Sequence, residues 1–164
     1  MRYVGIDLST KTGFVAINQE SKILLVEEIQ GDSNKDPKRM VSLTEKILQR
    51  LDAKDKIMIE GFSYGSRGRG IDFQFGLGHH VRNELYKFGF DYEIVTPGQL
   101  KKFATGKGNA SKDNMILPIY KKWGFEHESD NVRDAFVLAK IGQALNENTD
   151  LLKYEKEVIK EMEK

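Results

Sequence analysis

The first 29 residues confine the chain to a small set of folds. RYVGIDL, GFVAI and KILLVEEI are three short runs rich in β-branched and aliphatic side chains, separated by STKT and NQES, with the first strand ending at Asp7. Turns of that length and composition predict an antiparallel meander. The pattern then changes. Asp36-Pro37 can start a helix that carries Met40, Leu43, Ile47 and Leu51 on one face. KIMIE (56–60) is a short apolar run closed by an acid and reads as a buried parallel strand. A Gly/Arg-rich loop, GFSYGSRGRGID (61–72), leads to a helix from Phe73 to Phe88 with Phe73, Leu77, Val81 and Leu85 at helical spacing. YEIV (92–95) is another strand, and Pro97 fits the first position of a short helix through Phe103. After the loop ATGKGNA, Ser111 caps a helix with Met115, Ile119 and Trp123, and a core helix runs from about Asn131 to Leu145. A meander followed by crossover units predicts an α/β fold with a five-stranded mixed sheet flanked by helices.

At 164 residues the chain fits one domain. The expected division is one α/β domain over 1–146 and a charged helical tail over 147–164. The absence of cysteine excludes a disulfide framework, a thiolate zinc site and a cysteine nucleophile. No run approaches the apolar length of a membrane helix and MRYVGIDLST has no secretory h-region, so the expectation is a cytoplasmic protein with no membrane partner. The net charge of +1 points to no partner, but its distribution does. From Arg67 to Lys112 there are eight Lys/Arg against four acids, and from Glu147 onward six acids against four lysines. A basic middle and an acidic tail suit a nucleic-acid binder.

Four acids stand where carboxylates have little structural use. Asp7 interrupts an apolar strand, and Glu60 ends KIMIE on a strand that can lie beside it. Asp130 and Asp134 are four apart in SDNVRDAFVLAK, on one face of a helix start. Taken alone, Asp130 reads as a helix N-cap, and Asp134 as a first-turn acid favoured by the helix dipole. Taken together, four carboxylates make six pairs, each worth roughly 3 kcal/mol at ~5 Å and effective dielectric ~20. The total of about 18 kcal/mol would exceed the ~5–15 kcal/mol stability of a domain. A divalent cation relieves it, and oxygen-only ligands favour Mg²⁺ or Mn²⁺.

VGIDLSTKTGFVAI, IMIEGFSYG, PGQLKKFATGKGNASKDNM and DNVRDAFVLA, in that order across residues 4–139, resemble the RuvC-type Holliday junction resolvases, most closely the bacteriophage branch. The resemblance implies an RNase H-like fold and a Mg²⁺-dependent endodeoxyribonuclease, with Mn²⁺ substituting and two ions per active site. It places Asp7, Glu60 and Asp134 on the metal-binding acids, and Lys101 and Lys112 on the basic catalytic or DNA-contacting positions. The bacterial pattern has its fourth acid where Asn131 stands, so Asp130, in the form D-N-x-x-D-A, is the candidate, with Glu128 a weaker one. The implied partners are branched DNA, four-way junctions above all, and a second copy of the chain. An RNA-processing nuclease of the same fold and a branched-DNA binding module with weak cleavage are the alternatives. GIDLSTKT also resembles the first phosphate loop of actin-like sugar kinases, but no second phosphate loop follows.

Lys102 and Lys107 extend the expected DNA-binding surface. Phe62, Tyr64, Arg67 and Arg69 follow Glu60 directly and can stack on unpaired bases and grip phosphates, or form an ordinary loop with two packed aromatics. His79 and His80 read as solvated or substrate-proximal, and Trp123, Phe88 and Phe90 as core. In the tail, Leu152, Glu155, Ile159 and Met162 fall along one line, as in a packing or dimer-side helix. The expected dimer helix is Phe73–Phe88, where Phe73, Phe75, Gly76 and Gly78 would let a partner approach closely.

Overall fold

A computed structural model describes residues 1–64 and 70–164. Arg67 and Arg69 lie outside the described residues. The meander forms as expected: β1 (Arg2–Asp7), β2 (Lys11–Asn18) and β3 (Ile23–Gln30) pair antiparallel, Asp7 opposite Gly13. β4 (Lys56–Glu60) pairs parallel to β1 with Ile6 beside Ile59, and β5 (Tyr92–Val95) pairs parallel to β4. The resulting mixed sheet has the order β3-β2-β1-β4-β5.

The period-2 alternation of the strands splits the interior into two layers. Val4, Ile6, Phe14, Ala16, Ile57 and Ile59 face α1 (Lys38–Leu48) and α2 (Ile71–Lys87), meeting Leu43, Ile47, Leu77, Val81 and Leu85. Tyr3, Val15, Ile17 and Met58 face the other layer, which holds α3 (Pro97–Thr105), α4 (Lys112–Trp123), α5 (Asp130–Asn146) and α6 (Lys153–Met162). No helix among the described residues is long and apolar enough to cross a membrane.

Two glycines set the depth at which α5 lies on the sheet. A methyl at Gly5 would collide with the Ala135 carbonyl oxygen, and one at Gly13 with the Asn131 carbonyl oxygen. With no side chain at either position, the first turns of α5 rest directly on the backbone of β1 and β2.

The structure revises several sequence expectations. α2 starts at Ile71, inside the segment read as loop, and Leu51 lies beyond the end of α1. Phe88 is 66% exposed, because it follows the last turn of α2 and points off the sheet, so it is not core. Trp123 packs against Phe103 and Phe136, at 6.2 and 5.8 Å between ring centroids, and Phe90 packs against the α1–α2 layer. Gly76 and Gly78 serve packing within the chain. A methyl at Gly76 would lie 3.0 Å from Met40 Cε, and one at Gly78 would strike the Phe62 ring.

Candidate metal centre

Three elements end at one point. β1 delivers Asp7 at its last residue, β4 delivers Glu60 at its last residue, and the parallel register sets the two side by side on the face that α5 covers. The close seating of α5 on Gly5 and Gly13 then brings Asp134, in its second turn, against both. One carboxylate oxygen from each of Asp7, Glu60 and Asp134 lies within 4.8 Å of the others. Asp7 is 5% exposed and Asp134 8%.

The start of α5 is fixed by local hydrogen bonds. Ser129 Oγ accepts from Val132 N at 3.4 Å, so Ser129 and not Asp130 is the N-cap. Arg133 Nη1 donates to the His127 and Glu128 carbonyls at 2.7 and 3.1 Å, holding the approach to the helix. Asn131 Nδ2 donates to Ser9 Oγ at 3.0 Å and to the Lys11 carbonyl at 2.8 Å, tying α5 to the β1–β2 turn. That turn is itself closed by Thr12 Oγ1 donating to the Ser9 carbonyl at 2.8 Å. Asn131 is thus a brace between the start of α5 and the β1–β2 turn.

The acids sit in a cleft of about 260 Å³ whose walls include Ser9, Ser63, Gln74, Lys101, Lys112 and Asn131. Lys101 reaches it from α3, whose entry is set by a reciprocal cap: Thr96 Oγ1 accepts from Gln99 N at 3.2 Å and Gln99 Oε1 accepts from Thr96 N at 2.9 Å. Lys112 reaches it from the first residue of α4 and forms an ion pair with Asp130. The other expected contact residues are placed elsewhere. Lys102 is paired with Glu157 and Glu161 of α6, at 3.1 and 3.3 Å, and Lys107 is exposed on the α3–α4 loop. Glu128 is exposed and contributes only its carbonyl. Phe62 lies against α2 with Phe75 stacked at 4.4 Å and the Arg82 guanidinium 4.3 Å from its centroid. Tyr64 beside it is 84% exposed, and His79 is 5.0 Å from the Phe62 ring.

Burial and crowding raise the protonation range of all three acids. Burial pushes Asp7 well above its ordinary value, with the charges of Glu60 and Asp134 adding to it. Glu60 rises chiefly through burial, against the pull of Asp7's hydrogen bond and of Lys112 and Lys101. Asp134 is pushed up to about 7 by burial and the neighbouring Glu60. Without a cation, burial and mutual repulsion favour protons on the cluster. Its donors are oxygen only, which fits a hard divalent cation. Ser9, Ser63 and Gln74 line the cleft beyond the residues expected from the sequence, and the signal for Ser9 is the STKT turn that follows Leu8.

The strand order, the helix layers and the acids at strand ends can be compared with solved structures. The chain superposes on T. thermophilus RuvC in complex with Holliday junction substrate with a TM-score of 0.65, 18% identity, and 85% of this chain and 90% of that chain covered. A second Thermus thermophilus RuvC structure gives 0.61, 20%, 85% and 91%. The fold is RuvC-like. No protein-family model and no curated protein sequence matches the chain. In this RuvC-like fold the three acids fall on adjacent strand ends and on the helix that crosses them.

Proposed function

We propose that the chain is a divalent-metal-dependent endodeoxyribonuclease that cuts branched DNA, four-way junctions foremost and forks and flaps among the further substrates. One observation carries this reading: Asp7, Glu60 and Asp134 converge in a cleft with Lys101 and Lys112 on a RuvC-like fold. The three carboxylates would hold Mg²⁺, with Mn²⁺ as a substitute, two ions per site, and the chemistry such ions would supply is activation of water and stabilisation of the leaving oxygen. Lys112 and Lys101 bind the oxygens of the scissile phosphate and offset the charge that grows on them. A water oxygen bonds to phosphorus and the bond to the 3′ oxygen breaks, leaving a 5′-phosphate and a 3′-hydroxyl.

A four-way junction has two-fold symmetry, and paired cuts on opposing strands are most simply made by a two-fold homodimer. Phe75, His79 and Arg82 are packed around Phe62, so the surface of α2 on which this reading places a partner is its C-terminal end, where Tyr86 is 82% exposed. The phage-branch assignment rests on the D-N-x-x-D-A form at 130–135, and action in the cytoplasm accompanies it.

Purified protein is offered a synthetic four-way junction, a fork, a linear duplex and a structured RNA, with Mg²⁺ or EDTA. The expected result is Mg²⁺-dependent cutting of the junction, lost in Asp7→Asn, Glu60→Gln and Asp134→Asn while junction binding survives in Ca²⁺. Near-normal cutting by Asp7→Asn would overturn the assignment. Preference for RNA would select the RNA-processing reading, and tight binding without cutting the binding module.

A further inference from the structure

We infer that Asp130 is the positioning residue of Lys112, holding its ammonium at the mouth of the cleft, and is not a fourth metal ligand. The inference deepens the endonuclease reading above and rests on it.

Asp130 is not the N-cap, because Ser129 holds that position. It is also outside the group of carboxylates that approach one another, which comprises Asp7, Glu60 and Asp134. The rotation of α5 explains why. Asn131 is pinned to Ser9 and Lys11, so Asn131 and Asp134 line the cleft, whereas Asp130 is not among the residues that do. Its carboxylate instead meets Lys112 Nζ.

Lys112 needs such a partner for two reasons. It is the first residue of α4, at the positive end of the helix dipole, where a cation is disfavoured. Its side chain is 60% exposed, so with no partner its four-carbon stem would sweep through solvent. Asp130, also a first helical residue but an anion, is favoured where it stands. The ion pair joins two helix starts and fixes one ammonium beside the cleft, and Asp130 remains charged because Lys112 hydrogen-bonds to it.

The test measures Mn²⁺ binding by the whole chain in calorimetry and single-turnover junction cleavage, for the wild type, Asp130→Asn, Asp130→Glu, Lys112→Met and the double variant. Asp130→Asn should keep Mn²⁺ affinity within about threefold, whereas Asp134→Asn loses more than about tenfold. Cleavage should fall about 10- to 100-fold in Asp130→Asn, the scale of a displaced catalytic group, and recover in Asp130→Glu. Adding Lys112→Met to Asp130→Asn should cost no more than Lys112→Met alone. Mn²⁺ affinity falling as far as in Asp134→Asn would make Asp130 a ligand, and losses that multiply in the double variant would make it independent of Lys112. Either result overturns the inference. A wild type that cuts nothing overturns the endonuclease reading instead. The NMR signal of the Lys112 side chain then decides the pairing, because Asp130→Asn must shift it and an unmoved signal excludes the pair.

Discussion

Asp134 is the residue whose chemistry is most altered by its surroundings. Its carboxyl, held up to about 7 by burial and by Glu60, retains a proton in the folded chain that the unfolded chain has already released near pH 4. The folded state therefore binds more protons between those values, and metal-free stability falls as pH rises from about 4 to about 7. Asp134→Asn removes that penalty. In EDTA the variant should match the wild type at pH 4 and exceed it at pH 8 by about 2–4 kcal/mol in urea melts. Saturating Mg²⁺ should narrow the gap by stabilising only the wild type. A wild type as stable as the variant at pH 8 in EDTA would remove the buried-acid account. Asp7, Glu60 and Asp134 were legible in the sequence because a charge inside an apolar run is conspicuous. The bracing role of Asn131 was not, because an amide that braces a turn looks like any polar residue in a first helical turn.

Among the elements, α5 and its seat on the sheet decide whether the acids meet. Gly5→Ala places a methyl against the Ala135 carbonyl, and only a shift of α5 relieves it. Destabilisation of about 3 kcal/mol or more is expected by thermal or urea unfolding, with weakened Mn²⁺ binding because Asp134 moves away from Asp7. A Gly5→Ala protein of unchanged stability and Mn²⁺ affinity would contradict the seating described for α5. A second joint links α4 to α6. Lys122 forms an ion pair with Glu155, which is 0% exposed and also accepts from Leu152 N at 2.8 Å. Glu155→Ala leaves Lys122 without its counter-charge and should cost about 3 kcal/mol in urea unfolding. Lys122→Met combined with Glu155→Leu should recover most of that loss, and a double variant as unstable as Glu155→Ala would show that packing, not the unpaired charge, sets the cost. The sequence places Glu155 on the packing line of Leu152, Ile159 and Met162, but its partner Lys122, far earlier in the chain, was not legible there.

At the scale of the whole molecule, the proposed homodimer would place its second copy against the exposed Tyr86 end of α2. Phe75 is stacked on Phe62, so a substitution there would disturb the loop after Glu60 as well as any interface. Tyr86 is free of that complication at 82% exposed. Tyr86→Asp should give a folded monomer by light scattering that nicks one strand of a junction without a matched second cut. A wild type that stays monomeric at micromolar concentration with junction present would exclude the dimer.

The sequence by itself determined the meander, the β/α alternation after it and the three acids at element ends. These are local matters of period, turn chemistry and an out-of-place charge, and each is written within a dozen residues. Only the tertiary structure decided which polar residues share a space. Whether Asp130 faces a cation or a lysine depends on the rotation of α5 about its axis. Gly5 and Gly13 set the depth of that helix, and Asn131 pins it through Ser9 and the Lys11 carbonyl, more than a hundred residues earlier in the chain. Gly76 and Gly78, read as room for a partner, make room for Met40 and Phe62 for the same reason. A missing side chain marks a close approach, and the sequence does not say what approaches.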